Sequence, residues 1–490
     1  MLPTRRAFLA GVAAAAAGSA LPAWPAATET RAAAATHLAP ATGARWPRSR
    51  AERAWLGLPD RARHWRGLSS AGSPGATAVA SSTGAAGATA AGVRAAPLTR
   101  PPTAPATIPD LRRRFVFEYY PWYDTDPWFH WNDADHSPPL DVTASSMPRL
   151  GPYDTYDLRV LEQHARWIAD AGVGAINLSW WGRGDYTDLA VPRVMDVMRD
   201  HDIKVTFHLE PYRDTRALNY ADDVLFLLRE YGDKRRWDTF LLLDEGNGRV
   251  APVFKSFRTI LPRQVQDCVG RIFAVPDYTS DDDWRRQTEG VREATRRDFG
   301  RVYLLADSLD VGRTAAGGFD GVAVYDNFVT PAQWTRVAQD ASDVGLLFSF
   351  NVNPGFDRYP ERTPPPPPEV DPCYGGPLPF EPGGTHPEWS DLQARAAAQD
   401  LALERVSESF RATTTLQQRP GTSNQDRGFF LAYVNSFNEW HEGSQFEPAA
   451  DFADLTLEQR RIGYHNPPDG LARLRRLRSL IDGLVGNAVR

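Results

Sequence analysis

The chain has 490 residues and a net charge of −6, from 55 basic and 61 acidic side chains that are interspersed rather than blocked. That balance excludes the electrostatic footprint of a nucleic-acid or anionic-lipid binder. Fifteen tryptophans, sixteen tyrosines and twenty-three phenylalanines supply surface for a large core and flat faces that suit sugar rings. The two cysteines, Cys268 and Cys373, lack the close spacing of a zinc or redox motif, and both free thiols and a single disulfide stay open.

The first residues, "MLPTRRAFLAGVAAAAAGSALPAWPAA", join Arg5 and Arg6 to a short alanine-rich apolar run and small residues suited to cleavage. Residues 1–35 therefore read as a twin-arginine export signal, which predicts a secreted, extracellular protein exported already folded. The run is shorter than the roughly twenty residues of a membrane span, and no cysteine follows it to carry a lipid, so no membrane anchor is expected. Residues 36–109 are rich in Ala, Gly, Ser, Thr and Pro without apolar periodicity, and read as a disordered leader.

Residues 110–490 alternate short β-type runs with amphipathic helices. The strand candidates are 113–120, 174–181, 203–210, 238–245, 302–307, 321–326, 345–352 and 428–437, with "RIFAVPDYT" as a spare. Segments such as "LRVLEQHARWIADAG" and "TDLAVPRVMDVMRDH" carry helical spacing between them. Eight strands with helical crossovers predict a single α/β domain, a (β/α)8 TIM barrel. The competing doubly wound sheet lacks a Gly-rich phosphate loop after the first strand. The proline-rich segment "RTPPPPPEVDPCYGGPLPFEPGGTHP" after strand seven predicts a stiff arm near the pocket rim.

Barrel sites are built at the C-terminal ends of the strands. Those ends carry Tyr119, Tyr120, Trp122 and Tyr123; Trp180 and Trp181; His208, Glu210 and Tyr212; Asp244 and Glu245; and Asp307. The later ends carry Tyr325, Asp326 and Asn327; Asn351 and Asn353; and Glu439, His441 and Glu442. Aromatics and carboxylates without a basic cluster describe a sugar site. A lone aspartate such as Asp307 commonly caps the next helix. His208 with Glu210 offers only two metal ligands on one face, and no metal or cofactor is expected. Glu439 and Glu442 differ from the rest, because two carboxyls held close do not ionise equally easily and thereby supply a general acid beside a base. Glycoside hydrolysis requires that pair.

"YYPWY", "LGPYDTYD", "INLSWW", "FHLEPY", "GGFDGVAVY", "VNPGFD" and "SFNEWHEGSQFEP" occur in that order over roughly residues 114–450. Together they resemble glycoside hydrolase family 99, the endo-α-mannosidases and endo-α-1,2-mannanases. The resemblance implies a cofactor-free (β/α)8 barrel that cuts within α-mannosidic chains and retains anomeric configuration. It carries the catalytic pair onto Glu439, the base on the substrate's own 2-hydroxyl that forms a 1,2-anhydro sugar, and Glu442, the general acid and then base. It also places Tyr120, Trp180, Glu210 and Tyr325 around the sugar, with His208, Tyr212 and Asn438 as neighbours. The implied partner is an α-mannan or mannose-containing oligosaccharide, and a monomer is expected. "SWWGRGD", Asn353 and the proline-rich arm depart from the family pattern and bear on substrate choice. A sugar transferase of polysaccharide assembly and a catalytically silent carbohydrate-binding barrel are the alternatives.

Overall fold

A computed structural model describes residues 110–488 apart from 213–215, 247, 363–377 and 379. The export signal, the leader and most of the proline-rich arm lie outside the described residues. Eight parallel strands form the barrel: β1 (Phe115–Tyr119), β2 (Ala175–Trp180), β3 (Lys204–Leu209), β4 (Arg249–Ser256), β5 (Tyr303–Ala306), β6 (Gly321–Ala323), β7 (Leu347–Ser349, resuming at Asn351–Val352) and β8 (Ala432–Val434). The break in β7 closes the sheet. Leu347–Ser349 pairs with β6, Asn351–Val352 pairs with β8, and β8 returns to β1 with Phe115 opposite Ala432.

Each strand is followed by a helix: α1 (Leu158–Asp170), α2 (Tyr186–Asp200), α3 (Arg216–Leu227), α4 (Asp281–Thr295), α5 (Val311–Ala316), α6 (Pro331–Asp343), α7 (Leu392–Gln417) and α8 (Ala472–Ala488). Sequence chemistry sets several of the starts. Asp157, Asp185, Asp310 and Asp391 accept hydrogen bonds from first-turn backbone N–H groups of α1, α2, α5 and α7, donors that otherwise have no intrahelical partner.

Strand alternation divides the side chains between two cores. Phe115, Phe117, Ile176, Leu178, Val205, Phe207 and Phe254 face outward and pack with Leu161, Ile168, Val194 and Leu477 of the helices. Val116, Ala175, Ala251, Val253, Leu305, Ala323, Leu347 and Tyr433 form the apolar filling of the barrel itself. Burying each large side chain of the outer layer contributes roughly 1.5–3 kcal/mol, so truncating Phe117 to alanine would cost about 3–5 kcal/mol.

The sequence expectation fails at one strand. Residues 238–245 are not the fourth barrel strand. Leu242–Gly246 runs antiparallel against β4, which is Arg249–Ser256. Pro252 lies within β4, where a missing N–H argues against a central strand, and the neighbouring apolar run "FLLLDE" gives the stronger β signal. Asp244 and Glu245 consequently sit at the other end of the barrel. Glu245 there accepts from Arg427 at 2.9 Å and from the Tyr303 hydroxyl at 2.6 Å, beside the first residue of β5. The spare candidate contributes Ile272–Ala274 to an exposed two-stranded hairpin with Gln264–Gln266. Cys268, in its turn, is disulfide-bonded; the sequence has one other cysteine, Cys373, outside the described residues. Among the described residues no helix is long and apolar enough to cross a membrane.

Candidate active site

The alternation that fills the lower barrel with Val116 and Ala175 places Glu118 and Asn177 two residues further along β1 and β2, with His208 on β3 and Lys255 on β4. These four form a buried polar layer. Glu118 accepts from Lys255 Nζ at 2.6 Å, from His208 Nδ1 at 2.8 Å and from Asn177 Nδ2 at 2.9 Å. Burial alone would push the Glu118 carboxyl up, but the Lys255 ammonium and His208 outweigh it and hold the group at about 2. Glu118 is therefore an anionic acceptor, and His208 carries its proton on Nδ1. Among the described residues its Nε2 has no hydrogen-bond partner. The Lys255 ammonium lies 5.3 Å from the centre of the Tyr325 ring and 4.5 Å from that of Tyr433, contacts that favour a desolvated cation.

One step further toward the mouth stand Tyr120, Ser179, Glu210, Asp307 and Tyr325. The Tyr120 hydroxyl donates to the Tyr325 hydroxyl at 3.0 Å, and Tyr325 donates to Glu442 Oε2 at 3.2 Å. Ser179 donates to Glu210 at 2.9 Å. The backbone of Tyr325 is clamped on both sides: its N–H donates to Asp307 at 3.0 Å, and its carbonyl accepts from Asn435 at 3.0 Å and from Asn351. Asp307 thus fixes a site tyrosine instead of capping a helix; the cap of α5 is Asp310.

The segment after β8 carries the two glutamates and is anchored at each step. The Asn438 side chain brackets Tyr120, accepting from its N–H at 2.8 Å and donating to its carbonyl at 2.9 Å, as a neighbouring strand would. Ser436 Oγ accepts from the Glu439 N–H at 2.7 Å, and Tyr123 donates to the Asn438 carbonyl at 3.1 Å. Behind this turn Glu447 is buried and accepts from Tyr153 at 2.7 Å, from Trp440 Nε1 at 2.9 Å and from His164 at 3.2 Å. The Asp357 N–H donates to the Glu442 carbonyl at 2.7 Å, and at Gly443, where φ is +64°, a Cβ would collide with the Asp357 carbonyl. Glycine is needed there for both reasons.

Glu439 is buried and Glu442 is half-buried. Burial raises the Tyr123 phenol well above its ordinary value, and the charge of Glu439 adds to the rise. Asp326 is pushed up to about 7, first by burial and then by Asp307 and Glu442, so a carboxyl that holds its proton near neutrality lies within the field of Glu442. Burial lowers His441 to about 4.

Of the expected site residues, the structure brings Tyr120, Tyr325, Asn438, Glu439 and Glu442 together at the mouth, with Glu210 on the same level and His208 just below. Trp180 and Tyr212 are not in this group. The period of two turns Trp180 outward into the helix-facing core, where Nε1 donates to Asp188 at 2.7 Å and Tyr212 meets the ring edge-on at 5.3 Å. Trp181 takes the mouth side instead, 6.3 Å from Trp122. The sequence signals for Glu118 and Lys255 were available: each is a charge inside an apolar strand, in "FVFEYY" and "PVFKSF". Glu447 lay within the eighth-strand motif. Among the described residues, one group of three could hold a metal ion: His130, Asp133 and His441.

An α/β barrel with paired glutamates past its eighth strand, one of them accepting from a tyrosine that is itself held by a second, has the makings of a glycoside hydrolase. The description Glycosyl hydrolase family 99 matches residues 116–240. The chain is 24% identical over 387 residues to the glycoprotein endo-alpha-1,2-mannosidase of Xenopus laevis, covering 71% of this chain and 73% of that protein. It is 23% identical over 376 residues to the Mus musculus protein of the same name, covering 70% and 69%. Its fold matches the GH99 endo-alpha-mannosidase of Bacteroides thetaiotaomicron with a TM-score of 0.52 and 21% identity, over 78% of this chain and 99% of that one. The resemblance carried by the motifs is borne out: the chain is similar to family 99 endo-alpha-mannosidases in sequence and fold, and these matches support a glycoside hydrolase.

Proposed function

We propose that the protein cleaves internal α-mannosidic linkages of a mannan or mannose-containing oligosaccharide with retained configuration, and that it acts outside the cell after twin-arginine export. The observation that carries the site assignment is the chain from Tyr120 through Tyr325 to Glu442, facing a turn on which Glu439 is buried three residues earlier. In this reading Glu442 protonates the leaving oxygen, with Tyr325 fixing its orientation. Glu439 removes the proton of the sugar's 2-hydroxyl. In α-mannose that oxygen is axial and anti to the leaving group, so loss of one proton creates an internal nucleophile. The C1–leaving-oxygen bond breaks as the O2–C1 bond forms. Glu442, now a carboxylate, then takes a proton from the water that attacks C1, and as the C1–O2 bond breaks Glu439 returns its proton to O2, which restores both glutamates.

The names of the relatives favour α-mannosidic substrates over other α-glycans. Incubation with α-mannans, α-glucans and α-galactans, followed by NMR of the first-formed anomer, tests this. Retained anomers from α-mannan alone are expected. Inverted product, or turnover of a 2-deoxy substrate, rejects the anhydro-sugar route. N-terminal sequencing of protein recovered from the medium tests export, with a start between residues 26 and 40 expected; an intact Met1 rejects it.

A further inference from the structure

Beside the glutamate turn, but outside the catalytic group, lies a second cluster. His130 follows the small hairpin of Asp124–Thr125 and Trp128–Phe129, and its backbone is held at φ +60°, a conformation uncommon for a residue with a Cβ. His130 Nδ1 lies 3.1 Å from an Asp133 carboxylate oxygen, and His441 Nε2 lies 2.7 Å from the His130 carbonyl. The three side chains each offer one ligand atom, all within 4.8 Å of one another.

Aromatic contacts orient both imidazoles, as outer-shell groups do around metal sites. The His130 ring stacks on Trp122 at 4.6 Å, while His441 lies between the edges of Tyr123 at 6.1 Å and Tyr359 at 6.0 Å. Asp133 is half-exposed at its side chain, so an ion reaches the cluster from solvent.

We infer that His130, Asp133 and His441 form a binding site for one divalent transition-metal ion of the zinc class, and that occupying it slows the hydrolase. Two imidazoles and one carboxylate suit Zn2+, Co2+ or Ni2+ and disfavour Mg2+ or Ca2+, which take oxygen ligands. The 4.8 Å limit within which the ligand atoms lie is wider than the roughly 3.4 Å edge of a tetrahedral zinc site, so binding requires the half-exposed Asp133 side chain and the two imidazoles to draw together. Inhibition follows from connectivity and rests on the function proposed above: His441 immediately precedes Glu442, so an ion that draws His441 toward His130 shifts the acid away from Tyr325.

The test uses untagged protein freed of metal by chelation and titrated with ZnCl2 by calorimetry, with CoCl2 absorption as a second signal. One ion per chain is expected in the wild type, with binding weakened tenfold or more in Asp133→Asn and in His130→Gln. Absence of saturable binding, or binding in both variants as tight as in the wild type, overturns the site. Hydrolysis of an aryl α-mannoside is then followed with and without ZnCl2. Zinc inhibition that is relieved in Asp133→Asn supports the coupling, and binding without inhibition overturns it. If no glycoside is turned over at all, the calorimetric and cobalt measurements still decide the site, so its failure is distinct from failure of the proposed function.

Discussion

The two ends of the barrel hold the same kinds of residue in opposite states. At the N-terminal end, Glu245 is matched by Arg427 and by the Tyr303 hydroxyl, with Arg114 close enough to feel its charge. At the C-terminal end, Asp307 and Glu442 lie close enough to Asp326 for their charges to raise it, and Lys255 and His208 act on Asp307 from below. Lys255 lies one layer below, already bonded to Glu118, and Arg405 is bonded to Asn353 and to the Asn327 carbonyl. A carboxylate matched by a guanidinium stays ionised and serves structure. Buried carboxyls hold their protons more tightly, and Asp326 is pushed up to about 7 first by burial, with the charges of Asp307 and Glu442 adding to the rise.

The contrast breaks most visibly at the mouth. Glu439→Gln is expected to lower turnover of every glycoside by roughly a hundred- to ten-thousandfold, because no leaving group removes the need for a base on the 2-hydroxyl. Glu442→Gln should lose a similar factor on natural substrates and much less at bond cleavage on an aryl glycoside with an excellent leaving group. Steady-state kinetics on both substrates separates the two; equal losses across substrates would reassign the acid.

The layer beneath comes next. Lys255→Met leaves the Glu118 carboxylate buried without its ammonium, and should cost about 3–5 kcal/mol in denaturant unfolding. Adding Glu118→Gln to that variant should recover part of the loss; two additive losses would show that the pair is not coupled.

A smaller effect is expected at Asp326. Its folded-state carboxyl is raised, so the unfolded chain gives up this proton first as pH rises from about 4. The resulting destabilisation grows until the pH passes about 7, then levels off. Asp326→Asn keeps the oxygen that accepts from the Phe328 N–H at 2.8 Å. The variant should match the wild type in Tm near pH 4 and exceed it by about 2–5 °C at pH 8. The reverse order would place a charged Asp326 in the folded protein. The smallest effect belongs to the far end, where Glu245→Gln should cost about 0–1 kcal/mol and leave turnover unchanged.

The same contrast marks how far the sequence was legible. Strand existence followed from apolar runs, and the order of strand-end motifs located the mouth, because those signals are local. What failed depended on neighbours in space. Leu242–Gly246 and Arg249–Ser256 both look like strands, and only pairing assigns one to the barrel and the other to its flank. That choice moved Asp244 and Glu245 from one end of the barrel to the other and hid Lys255. Trp180 and Trp181 differ only in parity, which the register of β2 against β3 fixes: Trp180 stands opposite Leu209, an outward residue. The partnership of Glu118 with Lys255 spans 137 positions of chain, and no spacing rule reaches that far.

The Asn438 amide that brackets Tyr120 has a consequence for anyone recombining such enzymes. A loop is exchanged as a cassette when its ends are its only attachments, yet here the cassette is fastened through its middle to β1. Tyr123 and Tyr153, which reach the Asn438 carbonyl and Glu447, add two more fastenings in separate segments. The unit of inheritance is therefore discontinuous. Grafting 435–448 into another barrel transfers the glutamates but not their aim, and the graft carries its geometry only when Tyr120, Tyr123 and Tyr153 travel with it.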